Sequence, residues 1–248
     1  MKLVKTYQLL ILLSCCSLIM FSCGKESSCF KGSGNDITEL RTITAEVTKI
    51  VLEDNIDLII TQGNTAELKL TGGENLLPYI NTDVSGNELK LSSDNKCGFF
   101  RNYNRPLTAH LTLPNVNEIY YVGQGAITCT NTLNTPNFLF ETRNGTGSIN
   151  LDINTNDLSV LLHTGPADIT LKGNSDKAYY FGGGNGWMFC KDLIAKDVHV
   201  NNDSSGDIIV TASNTLLVEL NSTGNIDYYG NPTVTVSVDK GKGKLRKK

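Results

Sequence analysis

The sequence is poor in histidine, tryptophan and distributed positive charge, and each shortage narrows the functions open to the chain. Its 248 residues include three His and one Trp, and the formal net charge is −3. So few histidines leave little material for a multi-histidine metal site, and a net negative charge argues against nucleic acid as a partner. The sequence also has no phosphate-cradling loop and no serine in a nucleophile-elbow motif. We therefore expect no metal and no cofactor.

The N-terminus predicts a lipoprotein signal peptide over residues 1–22. Two lysines and an apolar stretch precede a small residue and Cys23, and the stretch is too short and too interrupted for a membrane span. Cys23 is the expected lipidation site, with Cys15 or Cys16 as the alternative and an ordinary secretory peptide as a third interpretation. The signal predicts an outer-membrane lipoprotein of the cell envelope, periplasmic or surface-exposed, with the membrane as a partner through the lipid anchor.

The remaining chain divides into a tether and one folded domain. Residues 23–35 are polar and rich in Gly and Ser, which is typical of a flexible tether. Residues 36–248 alternate apolar and polar side chains almost throughout, as in half-buried β-strands, and only residues 74–80 hint at a helix. We expect a single all-β domain, with a less regular part over residues 36–100 and regular repeats over residues 101–248.

The second half of the chain repeats with a period near 20 residues. Apolar anchor residues recur at intervals of 18–22 residues: Ile127, Ile149, Ile169, Met188, Ile208, Ile226 and Leu245. Glycine stands two residues before six of the seven anchors: Gly125, Gly147, Gly186, Gly206, Gly224 and Gly243. Ala167 takes that place in the remaining repeat. Two short strands and two turns in each repeat correspond to one coil of a β-solenoid, whose coils stack about 4.8 Å apart.

The repeated glycines predict a tight corner between two strands. Such a corner needs either a positive φ or very close approach of two backbones, and glycine allows both. An antiparallel β-sandwich also has short strands and frequent turns and is the competing architecture. The constant phase over seven repeats favours the solenoid.

Several of these motifs carry a resemblance to a known family. Residues 145–149, 205–208, 223–232 and 241–245 read GTGSI, SGDI, TGNIDYYGNP and GKGKL. Together with upstream motifs they resemble the putative auto-transporter adhesin, head GIN domain family, over roughly residues 29–248. Members are mostly secreted or lipid-anchored proteins of the Bacteroidetes. The resemblance implies a right-handed parallel β-helix similar in shape to pectin lyases but without their catalytic residues, and an adhesive role.

Four cysteines lie beyond the signal and the expected lipidation site: Cys29, Cys97, Cys129 and Cys190. Cys129 and Cys190 share one inward phase but lie three coils apart, roughly 14 Å, which is beyond the reach of a disulfide. We expect both to be small core residues. A disulfide between Cys29 and Cys97 then remains, and the envelope is a compartment in which it would persist.

Aromatic side chains supply the strongest hint of a binding surface. Each of three tyrosine doublets places one ring inward and one outward, because neighbours on a strand alternate faces. We expect the outward rings to form a ligand-stacking surface with Trp187: Tyr121, Tyr180 and Tyr229. The structural alternative is that these aromatics only fill or protect the sheets.

The most suggestive pair of carboxylates is Asp168 and Asp207. Both precede an anchor by one residue, so they lie on one outward row about 9.6 Å apart, close to the carboxylate spacing of an inverting glycosidase. Trp187 stands between them, and Asp beside a turn usually caps the turn backbone. We therefore expect no catalytic residues.

These observations predict a lipid-anchored binding or adhesion module that is not an enzyme. Its expected partners are a glycan, a protein of a host or cell surface, or further copies of itself in a homo-oligomer. One alternative is a carbohydrate-active enzyme, a glycan lyase or hydrolase on a β-helix. The other is a purely structural envelope protein that associates only with itself.

Overall fold

The computed structural model describes residues 32–95 and 107–248, and most of these residues form β-strands. The described ranges contain no α-helix, and residues 74–80 hold only a 3-10 turn at Leu77–Tyr79. Cys23, Cys29 and Cys97 lie outside the described residues, so the predicted lipidation and disulfide stay predictions. The strands are β1 Asp36–Arg41, β2 Lys49–Asp54, β3 Ile56–Gln62, β4 Glu67–Gly73, β5 Ile80–Ser85, β6 Glu88–Ser93, β7 Leu107–Leu113, β8 Glu118–Gly123, β9 Ile127–Cys129, β10 Leu133–Arg143, β11 Ser148–Thr164, β12 Asp168–Gly182, β13 Met188–Asn202, β14 Ile208–Leu220, β15 Ile226–Tyr229, β16 Thr233–Asp239 and β17 Leu245–Lys247.

The predicted parallel β-solenoid is confirmed. Each of the long strands β11 to β14 pairs in parallel with the next strand of the series, so that successive coils lie directly on one another. Each coil has two corners. A long strand continues through one corner without a break, and the other corner, where the glycine stands, lies between one strand and the next. Inward side chains alternate with outward ones along each strand, and the inward set forms one continuous apolar core.

The predicted anchor residues form a continuous inward row, here called the anchor ladder. Strand pairing places each anchor beside the next, from Ile127 through Leu245. The ladder also has a rung that the sequence did not reveal, because Leu58 of β3 pairs with Ile127. The strands that carry this ladder are called the anchor sheet. The strands across the core form the opposite sheet, whose inward row is Ile50, Ile119, Phe140, Val160, Tyr180, Val200, Val218 and Val236.

The corner glycines are required by close backbone approach rather than by a positive φ. A Cβ on Gly206 would overlap the carbonyl oxygen of Gly186, and a Cβ on Gly186 would overlap that of Ala167. Gly125 meets Ile56 in the same way at the first corner. A side chain at these positions would force the stacked coils apart.

Strands β4 to β7 are inserted between the first coil of the solenoid, β2 and β3, and the second, β8 and β9. Strands β2 and β3 pair in parallel with β8 and β9, although more than fifty residues separate them in the chain. The inserted strands extend both sheets beyond β2 and β3, partly by antiparallel pairing. Leu76 and Leu77, at the 3-10 turn, are buried against this end of the core.

Candidate functional site

An exposed pair of aromatic rings stands on the outward face of the anchor sheet. The rings of Trp187 and Phe189 stack with centroids 5.8 Å apart and an interplanar angle of 18°. Trp187 is 41 % exposed and Phe189 37 % exposed, although large aromatic side chains are mostly buried. Alternation around the inward Met188 turns both rings outward. This pair, called the Trp187 platform, offers a flat apolar surface to a ligand.

Polar side chains border the platform on the neighbouring coils. Phe189 lies between Thr170 and Ile209 in the strand register. Asp168 is exposed beside Trp187, and its Oδ1 accepts the backbone N–H of Trp187 at 2.9 Å. The arrangement combines a ring face with hydroxyl and carboxylate groups at its margin. Sequence reasoning selected Trp187 but missed Phe189, which the alternation around the Met188 anchor could have placed on the same face.

The two carboxylates that a glycosidase would need are engaged with backbone groups. Asp168 accepts from Trp187, as described, and Asp207 Oδ1 accepts the backbone N–H of Asn225 at 2.8 Å. Asp207 is also buried, and its Oδ2 accepts from Arg246 at 3.0 Å. Both carboxylates therefore act as caps between successive coils, in agreement with the turn role expected for them.

Two tyrosines expected in the stacking surface point inward instead, so that part of the prediction is wrong. Tyr121 is 0 % exposed, and Tyr180 is also buried. Tyr180 pairs with Val160 and Val200, whose inward phase could have been read from the sequence. The outward partners of the two doublets are Tyr120 and Tyr179. Tyr229 is exposed as expected, on the anchor-sheet face two coils beyond Trp187.

Tyr121 has a structural role at the corner between coils. Its hydroxyl donates to the carbonyl of Gly125 at 2.7 Å and accepts the backbone N–H of Gly147 at 3.0 Å. Burial raises the pKa of Tyr121 to about 12, against the opposing effect of the hydrogen bond from Gly147. The neutral phenol therefore bridges two corner glycines inside the core.

A second outward surface lies on the opposite sheet. The ring of Tyr179 lies 4.9 Å from that of His199, and the ring of His163 lies 5.5 Å from that of Phe181. His199 Nε2 is 2.8 Å from Glu219, and His163 Nε2 is 3.2 Å from Glu141. A shallow groove of about 400 Å³ runs beside Tyr179 and His199. Each imidazole on this surface is therefore paired with both a carboxylate and an aromatic ring.

The basic C-terminus is part of the fold, because it forms the last strand of the anchor sheet. Strand β17 pairs in parallel with β15, and Arg246 contacts both Asp207 and Asp227. Burial raises the pKa of Asp227, but hydrogen bonds from Arg246 and Lys248 outweigh burial and set this pKa below its ordinary value. These ion pairs hold the last coil on the two coils before it.

The two described cysteines are both free, as expected, but they differ in environment. Cys190 is buried, and burial raises the pKa of its thiol to about 12. Cys129 is only half-buried, so the expectation of a buried core residue is wrong there. Its sulfur accepts the backbone N–H of Asp152 at 3.1 Å, at the edge of the short strand β9.

Within the described ranges, no three or more His, Cys, Asp or Glu side chains are grouped so that they could hold a metal ion. The same ranges contain no helix with the length and apolar character needed to cross a membrane.

The fold defines a class of protein, the parallel β-solenoids, and this one carries exposed aromatic side chains on its outward faces. The chain belongs to the family described as putative auto-transporter adhesin, head GIN domain, whose family model matches residues 46–232. That family indicates a binding or adhesion role at the cell envelope or surface. A comparison with curated proteins found no match.

Several solved structures of similar fold come from Bacteroidetes. A putative adhesin from Bacteroides fragilis is 24 % identical, with a TM-score of 0.81, 88 % of this chain covered and 100 % of the other. A putative lipid binding protein from Parabacteroides distasonis is 22 % identical, with a TM-score of 0.63 and the same coverage. A putative adhesin from Parabacteroides merdae is 19 % identical, with a TM-score of 0.62, 88 % of this chain covered and 98 % of the other. These likenesses show the fold.

Proposed function

We propose that the protein is a lipid-anchored adhesion module of the cell envelope that binds glycans, without cleaving them, through the Trp187 platform. The exposed stack of Trp187 and Phe189 carries this proposal. Flat ring faces favour the apolar faces of sugar rings, and the carboxylate of Asp168 and hydroxyl of Thr170 would accept hydrogen bonds from sugar hydroxyls. Family membership supports adhesion as the biological role.

Binding without cleavage is supported by the engagement of the two candidate carboxylates. A general acid or base must have its proton-accepting oxygen available to the substrate. Asp207 is buried and receives hydrogen bonds from Asn225 and Arg246, so the pair cannot present two free carboxylates to a substrate, while Asp168 uses its Oδ1 to hold the backbone N–H of Trp187. The proposal therefore gives Asp168 a positioning role beneath the ligand rather than a catalytic one.

A glycan array followed by polysaccharide pulldown tests ligand class and chemistry together. The chain from residue 24 onward contains every described residue, and mass spectrometry of the bound glycans reports their length. We expect retained glycans of unchanged length, with binding lost in Trp187→Ala. Ile194→Ala is the matched control, because Ile194 is an exposed apolar residue outside the platform. Shortened products, or equal binding by Trp187→Ala, would overturn the proposal.

Lipid anchoring rests on the N-terminal signal and is tested separately. Cells fed a clickable fatty acid should label the wild-type chain and the Cys15→Ser variant, whereas Cys23→Ser should stay unlabelled. Label that persists in Cys23→Ser and disappears in Cys15→Ser would move the anchor to Cys15. Absence of label in the wild type would remove the anchor from the proposal while leaving the glycan test unaffected.

A further inference from the structure

The two ends of the solenoid both carry strands for which the described residues supply a pairing strand on one side only. At the C-terminal end, β16 pairs with β14, and β17 pairs with β15. At the N-terminal end, β1 pairs with β4, and β5 pairs with β6. In the part of the chain that the structure describes, no strand occupies the outer edge of these four. An unpaired edge is a ready template for another strand.

The last coil at the C-terminal end leaves its inward side chains partly open. Val234 and Val236 continue the rows of Leu216 and Val218, which are completely buried. Val234 is only half-buried, and Val236 is 46 % exposed. One further layer of strands would bury these side chains, and the burial of apolar surface favours such a layer.

The N-terminal end also exposes apolar side chains on its edge strands. Leu40 of β1 is 65 % exposed, and Ile37 on the same strand is exposed as well. Val84 of β5 is exposed on the other sheet. Both ends of the solenoid thus combine an unpaired edge with exposed branched aliphatic side chains.

The charges of the two ends are opposite. Residues 233–248, which hold β16 and β17, contain six Lys or Arg side chains and one acidic side chain, Asp239. Two of the basic side chains, Arg246 and Lys248, are paired with Asp207 and Asp227, so the end keeps a net positive charge. Residues 36–94, which form the N-terminal end, contain eleven acidic and four basic side chains. The N-terminal edge strands themselves carry Asp36, Glu39 and Asp83 against Arg41 alone. Two like ends would repel each other, whereas unlike ends attract.

We propose that the occupant of each end is a second copy of this chain, docked head to tail. The basic C-terminal end of one copy meets the acidic N-terminal end of the next, and the edges of β16 and β17 continue into those of β5 and β1. Charged residues on edge strands normally prevent pairing. Here each end carries a net charge of one sign, so repulsion prevents pairing only between two like ends. Because this contact stacks copies end on end along the solenoid axis, it builds open rows of copies rather than a closed ring.

This inference does not depend on the glycan site, because the Trp187 platform lies on the side of the solenoid. It is tested by the mass of the chain from residue 24 onward, measured by light scattering over rising protein concentration. We expect the wild-type mass to rise beyond the monomer in low salt and to return toward the monomer in high salt. Val236→Lys and Leu40→Lys should each remain monomeric, whereas the control Ile194→Lys should assemble like the wild type.

Mixing the two end variants distinguishes head-to-tail contact from contact between like ends. The Val236→Lys chain keeps an intact N-terminal end, and the Leu40→Lys chain keeps an intact C-terminal end, so the mixture should form a dimer and no larger species. Circular dichroism checks that both variants fold. A monomeric wild type at every concentration would overturn the proposal. So would dimers of Leu40→Lys alone, or a mixture that stays monomeric.

Discussion

The carboxylate of Asp168 holds the backbone N–H of Trp187 on the next coil, at 2.9 Å. The same hydrogen bond recurs where Asp57 accepts the backbone N–H of Ala126 at 2.7 Å and where Asp207 accepts that of Asn225 at 2.8 Å. Each acceptor stands one residue before an anchor, so the solenoid uses this outward position to fix one coil on another. At Asp168 this hydrogen bond also holds the backbone of Trp187, and so the platform, in place.

Removing the Asp168 carboxylate should therefore weaken both the stack and the platform. Asp168→Ala leaves the N–H of Trp187 without its acceptor, and we expect the free energy of unfolding to fall by about 1–2 kcal/mol. Asp168→Asn retains a carbonyl oxygen and should lose less. Chemical denaturation measures both values, and equal stability of Asp168→Ala and wild type would contradict this role.

The corner glycines should not tolerate even a methyl group. Gly206→Ala places a Cβ against the carbonyl oxygen of Gly186, and we expect a loss of about 2 kcal/mol or more in unfolding free energy. Gly32→Ala is the control, because an added Cβ there meets no atom within 4 Å. Thermal unfolding compares the two variants. A Gly206→Ala chain as stable as the control would show that the coils separate at little cost.

The buried hydroxyl of Tyr121 should contribute measurably to stability. Tyr121→Phe leaves the carbonyl of Gly125 and the N–H of Gly147 without this partner, at an expected cost of about 1–3 kcal/mol. Tyr120→Phe alters the outward ring of the same doublet and should change stability by less than about 0.5 kcal/mol. Denaturant unfolding of the pair distinguishes the two tyrosines. The opposite order would contradict the inward position of Tyr121.

The last coil should lose stability in acid. The pKa of Asp227 is lower in the folded chain than its ordinary value of 3.8, so its contribution is present above about pH 4 and is lost as the pH falls through the folded-state pKa. Asp227→Asn should be less stable at neutral pH and should lose less on acidification. Asp203→Asn, at an exposed position, is the control. Parallel pH profiles for Asp227→Asn and wild type would contradict the assignment.

The cysteines give a chemical test of the predicted disulfide. Without reductant, the denatured chain from residue 24 onward should titrate two thiols, from Cys129 and Cys190, if Cys29 and Cys97 are paired. Four thiols would contradict that pairing. In the native chain, Cys190 should resist thiol reagents near neutral pH, because it is buried and its raised pKa keeps it protonated. Rapid reaction of both thiols would contradict this burial.

The repeat architecture was predictable because period and phase depend on residues close together in the chain. The anchors from Ile127 to Leu245 and their glycines indicated the stacking register, and every one of those pairings is present. The Leu58 rung was not predictable in the same way. The insertion separates it from Ile127, and Ile56 occupies the place that glycine has in most later coils.

The candidate site was less predictable, because a pair of adjacent tyrosines shows that one ring points inward and the other outward but not which one does. Tyr121 and Tyr180 were expected outward, although the neighbouring row of Val160 and Val200 indicates the inward phase. Alternation around Met188 places Phe189 on the same face as Trp187, but the stacking of the two rings depends on ring orientation, which the sequence does not give. Likewise, composition does not distinguish Arg246, which forms ion pairs with Asp207 and Asp227, from the other basic residues of the C-terminus.

The most direct test of the proposed binding site uses the fluorescence of Trp187, since it is the only tryptophan in the chain. Titration with a glycan retained on the array should change the emission saturably, and Phe189→Ala should weaken binding by about tenfold or more, which corresponds to about 1.4 kcal/mol. Ile194→Ala should bind like the wild type. A glycan that binds with unchanged tryptophan emission and equal affinity for Phe189→Ala would contradict the account.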